Sequence, residues 1–205
     1  MASRWFPHGP VRSQRRAGWV FVALVLVVAV PSAVGAVLSV TGRTPAVLAS
    51  CVLAVAIAYV YFVSPSISIT EDGITVENPW RIHVVPWGAL IDVNTRFQLT
   101  LVTPDGEVHV LAAPSPGGLA AMRAKPDADG RTGRLSRQGV GVRAGDLPSH
   151  VSGQLATVIR GHWQDRVEAG DLDHSERAVT RPRSVHLALT LGGLALVSAL
   201  WLVAL

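Results

Sequence analysis

The chain has 205 residues, of which 49% are hydrophobic and only 16% charged, against roughly 25% charged in soluble domains. That balance excludes a disordered chain, a coiled coil and an ordinary soluble globule, and the single cysteine, Cys51, excludes an internal disulfide. The net charge of +4 is no nucleic-acid footprint: Arg4, Arg12, Arg15 and Arg16 supply it near the N-terminus, while residues 64–184 hold thirteen basic and fourteen acidic side chains.

Residues 1–18 read as a basic cytoplasmic tail. Three uncharged stretches organise the rest: Trp19 to Val40, Ala46 to Val63 and Val185 to Leu205. At about 1.5 Å of rise per residue each approaches or exceeds the roughly 30 Å hydrocarbon core of a bilayer, which predicts three transmembrane helices over 19–40, 46–63 and 185–205. The turn Thr41-Gly-Arg-Thr-Pro45 makes the first two a hairpin, and Pro31 is tolerated inside a membrane helix. Ala46, Ser50, Ala54 and Ala58 recur every fourth residue, a small-residue stripe that admits a neighbouring backbone; Gly192 and Gly193 offer the same in the third span. Arginines before the first span and at the start of the third (Arg177, Arg181, Arg183) place the N-terminus and residues 64–184 in the cytoplasm and the C-terminus outside. Residues 12–16, the apolar run and Val34-Gly-Ala36 also imitate a cleavable secretory signal. The apolar run continues past that site and a second span follows at once, which favours an intact first span.

The insert at 64–168 changes period. Ser66-Ile-Ser-Ile-Thr70 alternates, Asp72-Gly73 offers a tight turn with Gly73 expected at positive φ, and Ile74 and Val76 resume the alternation. Asn78-Pro79 is a second turn, then come Arg81 to Val85, Pro86-Trp87, Leu90 to Asn94, Leu99 to Thr103, the turn Pro104-Asp-Gly106 and Glu107 to Leu111. Six short strands this close in sequence predict an antiparallel meander curled into a partly open barrel. Residues 114–145, rich in Pro, Gly, Asp and Arg, read as a flexible insertion, with Val140 and Val142 as a further strand at its end. An amphipathic helix over 149–167, capped by Ser149 or Asp146 with Pro148 in its first turn, is expected to turn Val151, Leu155, Val158, Ile159, Trp163 and Val167 inward and to cap the barrel. Residues 169–184 read as a polar linker.

The words Asp72-Gly73, Asn78-Pro79-Trp80-Arg81 and Pro86-Trp87, in that order among strands, resemble the bacterial pleckstrin-homology (PH) domain family typified by the low-molecular-weight protein antigen 6 of actinobacteria. The resemblance covers about residues 66–112, and the helix at 149–167 by position. It implies a seven-stranded, partly open barrel capped by one C-terminal helix and attached to membrane helices. A non-catalytic interaction module at the plasma membrane is expected on a different ground, that the residues support neither catalysis nor transport. The third span and the insertion depart from the simplest members.

Catalytic and metal constellations are missing from the sequence. The histidines lack metal spacing, Asp171-Leu-Asp-His174 sits in a polar linker, and there is no nucleophile elbow, phosphate loop or dinucleotide fingerprint. His83 and His109 are read as surface strand residues rather than as a metal pair. No catalytic or metal residue and no cofactor is therefore expected. Trp80 and Arg81, beside a turn, are the candidate surface for a protein partner, with self-association through the helices as a further mode. The alternative is an anionic lipid headgroup, read by a basic loop carrying Arg131, Arg134 and Arg137. The first hairpin is a poor phosphate site because it carries Glu71 and Asp72 in place of a Lys and Arg cluster.

Overall fold

The computed structural model describes residues 9–14, 17–95, 97–114 and 151–204. In chain order the elements are β1 (Val11–Gln14), α1 (Gly18–Ser39), α2 (Thr44–Ala58, continued by a π-helical turn over Tyr59–Val63), β2 (Ser66–Ile69), β3 (Gly73–Glu77), β4 (Arg81–Pro86), β5 (Asp92–Asn94), β6 (Gln98–Thr103), β7 (Gly106–Pro114), α3 (Val151–Ala169), β8 (Val179–Pro182) and α4 (Ser184–Val203). All six strands read from the meander are present. They are joined by β1 and β8, from segments expected to be tail and linker, so that two open sheets form, ordered β1-β2-β3-β4-β8 and β5-β6-β7. The resemblance implies seven strands in a partly open barrel; the described residues form eight, in two open sheets. Val-Arg-Ser-Gln and Val-Thr-Arg-Pro carry little alternation; an edge strand draws its order from the sheet it joins rather than from its own side chains.

The chain divides into two compact units: Met1–Ser13, Ser66–Val76 and His83–Val179 in one, and Gln14–Pro65, Glu77–Ile82 and Thr180–Leu205 in the other. The first is built around one apolar core. Ile67 and Ile69 of β2, Ile74 and Val76 of β3, Leu99 and Leu101 of β6 and Val110 of β7 are fully buried, and Leu155, Ala156 and Ile159 of α3 close over them. The β2–β3 turn is held by the Thr70 N–H, which donates to Gly73 O at 2.9 Å, and by the Thr70 hydroxyl, which donates to the same oxygen at 2.9 Å. Gly73 does not have the positive φ expected of it. Its lack of a side chain matters for space: a Cβ there would stand 2.7 Å from Val85 O. In the second sheet β6 and β7 pair antiparallel with Thr100 opposite His109 and Thr103 opposite Gly106. The turn between them closes on Gly106 at φ +127, a conformation that glycine enters without strain.

The inward face of α3 differs from the expected stripe. Ser152, Leu155, Ala156, Ile159 and His162 are buried, while Val151 and Val167 are about half exposed. Counting apolar residues picked the wrong edge of the stripe, because a small serine and a histidine occupy core positions. The expected capping residues and the further strand at Val140 and Val142 lie outside the described residues.

In the second unit, α1 and α2 form the expected hairpin and α2 also packs on α4. α1, α2 with its π-helical turn, and α4 are all long and apolar enough to cross a membrane. α1 begins where α2 ends: Phe21 stacks on Phe62 with centroids 4.3 Å apart, Trp19 meets Tyr59 edge-on, and Gly18 lies against the Phe62 carbonyl. The small-residue stripe of α2 is used inside the chain. Ala46 and Ala58 are buried, and the Ser50 hydroxyl accepts a 3.2 Å hydrogen bond from Trp201 Nε1 of α4. Gly193 of α4 faces Leu53, where a Cβ would come within 2.7 Å of Cδ1.

Candidate functional site

One end of the β-rich unit is organised by Trp87. The Pro86-Trp87 step leaves β4 for a short 3-10 turn over Trp87–Ala89, and the indole falls into the core, 2% exposed. Its Nε1 donates to Thr70 O at 3.1 Å, and His162 of α3 meets the ring edge-on at 4.7 Å. Burial lowers the His162 pKa below its ordinary 6.5; Arg166 adds to the depression, and Asp165 and Glu71 oppose it. The neutral imidazole is thus the favoured partner of the indole.

Over this end runs the segment after α3. Gly170, at φ +67, ends the helix. Arg166 then donates to Glu71 O at 2.7 Å and pairs with Asp171 at 2.9 Å. The Gly88 N–H donates to Glu176 Oε2 at 3.1 Å, and the Asp173 carbonyl lies so close to Gly88 that a Cβ would collide with it. The Asp173 carboxylate accepts from the Ser175 hydroxyl at 2.6 Å and backbone N–H at 2.9 Å, bonds that lower its pKa. Asp171, Asp173 and Glu176, read from sequence as parts of a linker, therefore strap the chain onto the Trp87 turn. They line, with Asp72 and Arg166, a polar pocket of about 240 Å³. Four carboxylates against one guanidinium disfavour a phosphate there. Among the described residues no group of three or more His, Cys, Asp and Glu is arranged to hold a metal ion.

His83 of β4 and His109 of β7 belong to different sheets, and His109 Nδ1 lies 3.1 Å from the Thr100 hydroxyl. Trp80 and Arg81 sit at the β3–β4 turn, which the Asn78 N–H closes on Arg81 O at 2.9 Å. Arg81 is exposed and Trp80 half-buried. The turn, Glu77–Ile82, groups with the helical unit. There Arg183 pairs with Glu77 at 3.2 Å, its N–H donates to Trp80 O at 2.9 Å, and His186 Nδ1 bonds Pro79 O at 3.0 Å. Sequence reasoning found the turn and missed its partners, because Arg183 and His186 lie over a hundred residues away, at the start of α4. Arg131, Arg134 and Arg137 lie outside the described residues.

Open antiparallel sheets packed by one helix around an apolar core make a small α+β domain, here in a chain with three membrane-compatible helices. Residues 64–128 match the family model of the bacterial PH domain. PH domains are generally non-catalytic interaction modules that bind protein or lipid. No curated protein and no solved structure matches the chain.

Proposed function

We propose that this is an integral, three-span protein of the cytoplasmic membrane, with its N-terminus and residues 64–184 in the cytoplasm and its C-terminus outside. It holds the PH domain at the membrane as a non-catalytic scaffold that binds a protein partner. The observation that carries this reading is the PH match at residues 64–128, between the second and third membrane-compatible helices. The exposed Arg81 and the adjacent Trp80 are the surface we assign to the partner.

Cross-linking of the full chain in its native membrane, followed by purification in mild detergent and mass spectrometry, tests it. We expect one protein to be retained in stoichiometric amount at high salt, and to be lost from Arg81→Glu and Trp80→Ala. Retention unchanged by both substitutions would overturn the assignment of the surface. Release of the chain from membranes by alkaline carbonate would overturn the three-span reading.

A second reading, headgroup sensing at the inner leaflet, draws support from one contact set. Glu77 and Pro79 are bonded to the first turn of α4, so that Arg81 stands at the depth of lipid phosphates if α4 spans the bilayer. In that reading the isolated segment 66–168 binds anionic vesicles through Arg81 and through Arg131, Arg134 and Arg137, and salt releases it.

A further inference from the structure

Within the helical unit, α1, α2 and α4 enclose a groove of about 760 Å³ whose walls are almost wholly apolar. That volume lies within the roughly 300–1,000 Å³ of small-molecule sites. It exists because its α2 and α4 walls include small residues, Ala49, Ala56 and Gly193, while the bulkier Trp19 and Tyr59 stand at one end. Along α4 the lining runs from His186 to Val197, about 16 Å at 1.5 Å per residue, or roughly half the 30 Å hydrocarbon core. A groove one leaflet deep fits a lipid chain. A helix from a second copy would call for contact across the whole span.

The end with Trp19, Tyr59 and His186 is polar, and its net charge is positive although Glu77 pairs with Arg183 there. The helical unit contains a single acidic residue, Glu77, against Arg81, Arg181 and Arg183 beside the start of α4. α1 and α4 both begin at this end without a side-chain cap, so their positive dipole ends add to the field. Pro79 O can only accept, so His186 Nδ1 carries the proton that bonds it. Nε2 of that groove-lining ring then accepts, which suits a headgroup hydroxyl rather than a phosphate oxygen.

We propose that the groove holds one anionic phospholipid of the leaflet on the PH-domain side. Its acyl chain lies along α2 and α4, its phosphate sits at the end with Arg181 and Arg183, and a headgroup hydroxyl donates to His186 Nε2. This rests on the three-span reading; the lining of the groove includes neither Trp80 nor Arg81.

The test reconstitutes the full chain in vesicles of phosphatidylcholine with a minority of phosphatidylglycerol and releases it in mild detergent for native mass spectrometry. One phosphatidylglycerol per chain is expected. Val52→Trp, which fills the groove from an exposed lining position, should lower its occupancy roughly tenfold, a difference of about 1.4 kcal/mol. Arg181→Gln, at an exposed position, should weaken the preference for phosphatidylglycerol over phosphatidylcholine several-fold, and His186→Gln should do the same. Equal retention of the two lipids by the unaltered chain, or occupancy unchanged by Val52→Trp, overturns the proposal. So does a dimer that Val52→Trp dissociates, which would assign the groove to a second copy. Alkaline carbonate extraction of the unaltered chain and of each variant separates these outcomes: a chain that leaves the membrane defeats the three-span reading, whereas an unaltered chain that stays and carries no phosphatidylglycerol defeats only the groove.

Discussion

The two units of this chain are turned inside out relative to each other in their use of large apolar side chains. In the β-rich unit the bulky residues are the buried ones, Trp87, Ile67, Ile74 and Leu101 among them. In the helical unit the bulky residues face outward, with Leu38 and Leu202 more than 70% exposed, while Ala46 and Ala58 are buried. Water punishes such an outward face and hydrocarbon does not. One chain therefore uses two packing rules: apolar burial from water in the β-rich unit, and close approach of small residues with a few side-chain hydrogen bonds in the helices.

The comparison is sharpest for tryptophan, which occurs in both settings. Trp87→Ala should destabilise the β-rich unit by about 3–5 kcal/mol, because it empties a core position and removes the bond to Thr70 O. Urea unfolding of the full chain in detergent, followed by circular dichroism, measures it; a loss below about 1 kcal/mol would break the contrast. Gly88→Val ranks second. Its side chain meets the Asp173 carbonyl and the Glu176 carboxylate, and overpacking of this kind costs about 1–3 kcal/mol. Limited proteolysis should then cut the strap at 171–176 sooner than in the unaltered chain.

Burial of His162 beside Trp87 should give the β-rich unit a pH response. The folded pKa of His162 lies below 6.5, so as the pH falls the unfolded chain takes up its proton first. Stability present above pH 6.5 is lost as the pH falls toward the folded value. His162→Leu should flatten that slope, and an unaltered slope in the variant would assign it to other groups. The smallest effect belongs to the helices: Ser50→Ala removes the bond from Trp201, and such bonds are worth about 0.6 kcal/mol. A thermal shift in detergent as large as that of Trp87→Ala would mean that the helices are governed by the same rule as the core.

Much of this architecture was legible from residue order. Runs of twenty-odd residues without charge admit few structures, and the alternations around Asp72-Gly73, Asn78-Pro79 and Pro104-Asp-Gly106 mark their strands by local chemistry. The candidate surface was legible only in part. Trp80-Arg81 was found as a turn, but nothing near it announces that Pro79 O and Trp80 O are claimed by His186 and Arg183.

Sequence by itself determined the elements whose causes are local: three apolar helices, six strands, their turns and the amphipathic α3. Tertiary structure alone decided the elements and roles that depend on a distant partner. Val11–Gln14 and Val179–Pro182 become strands because a sheet edge is there to pair with. Gly73 is required by the approach of Val85 O rather than by its own φ. His162 is a core residue because Trp87 offers it a face. The linker is a strap because Gly88 leaves room for Asp173 and donates to Glu176. Periodicity reports which side of an element avoids water; what that side meets is set by chain brought in from far along the sequence.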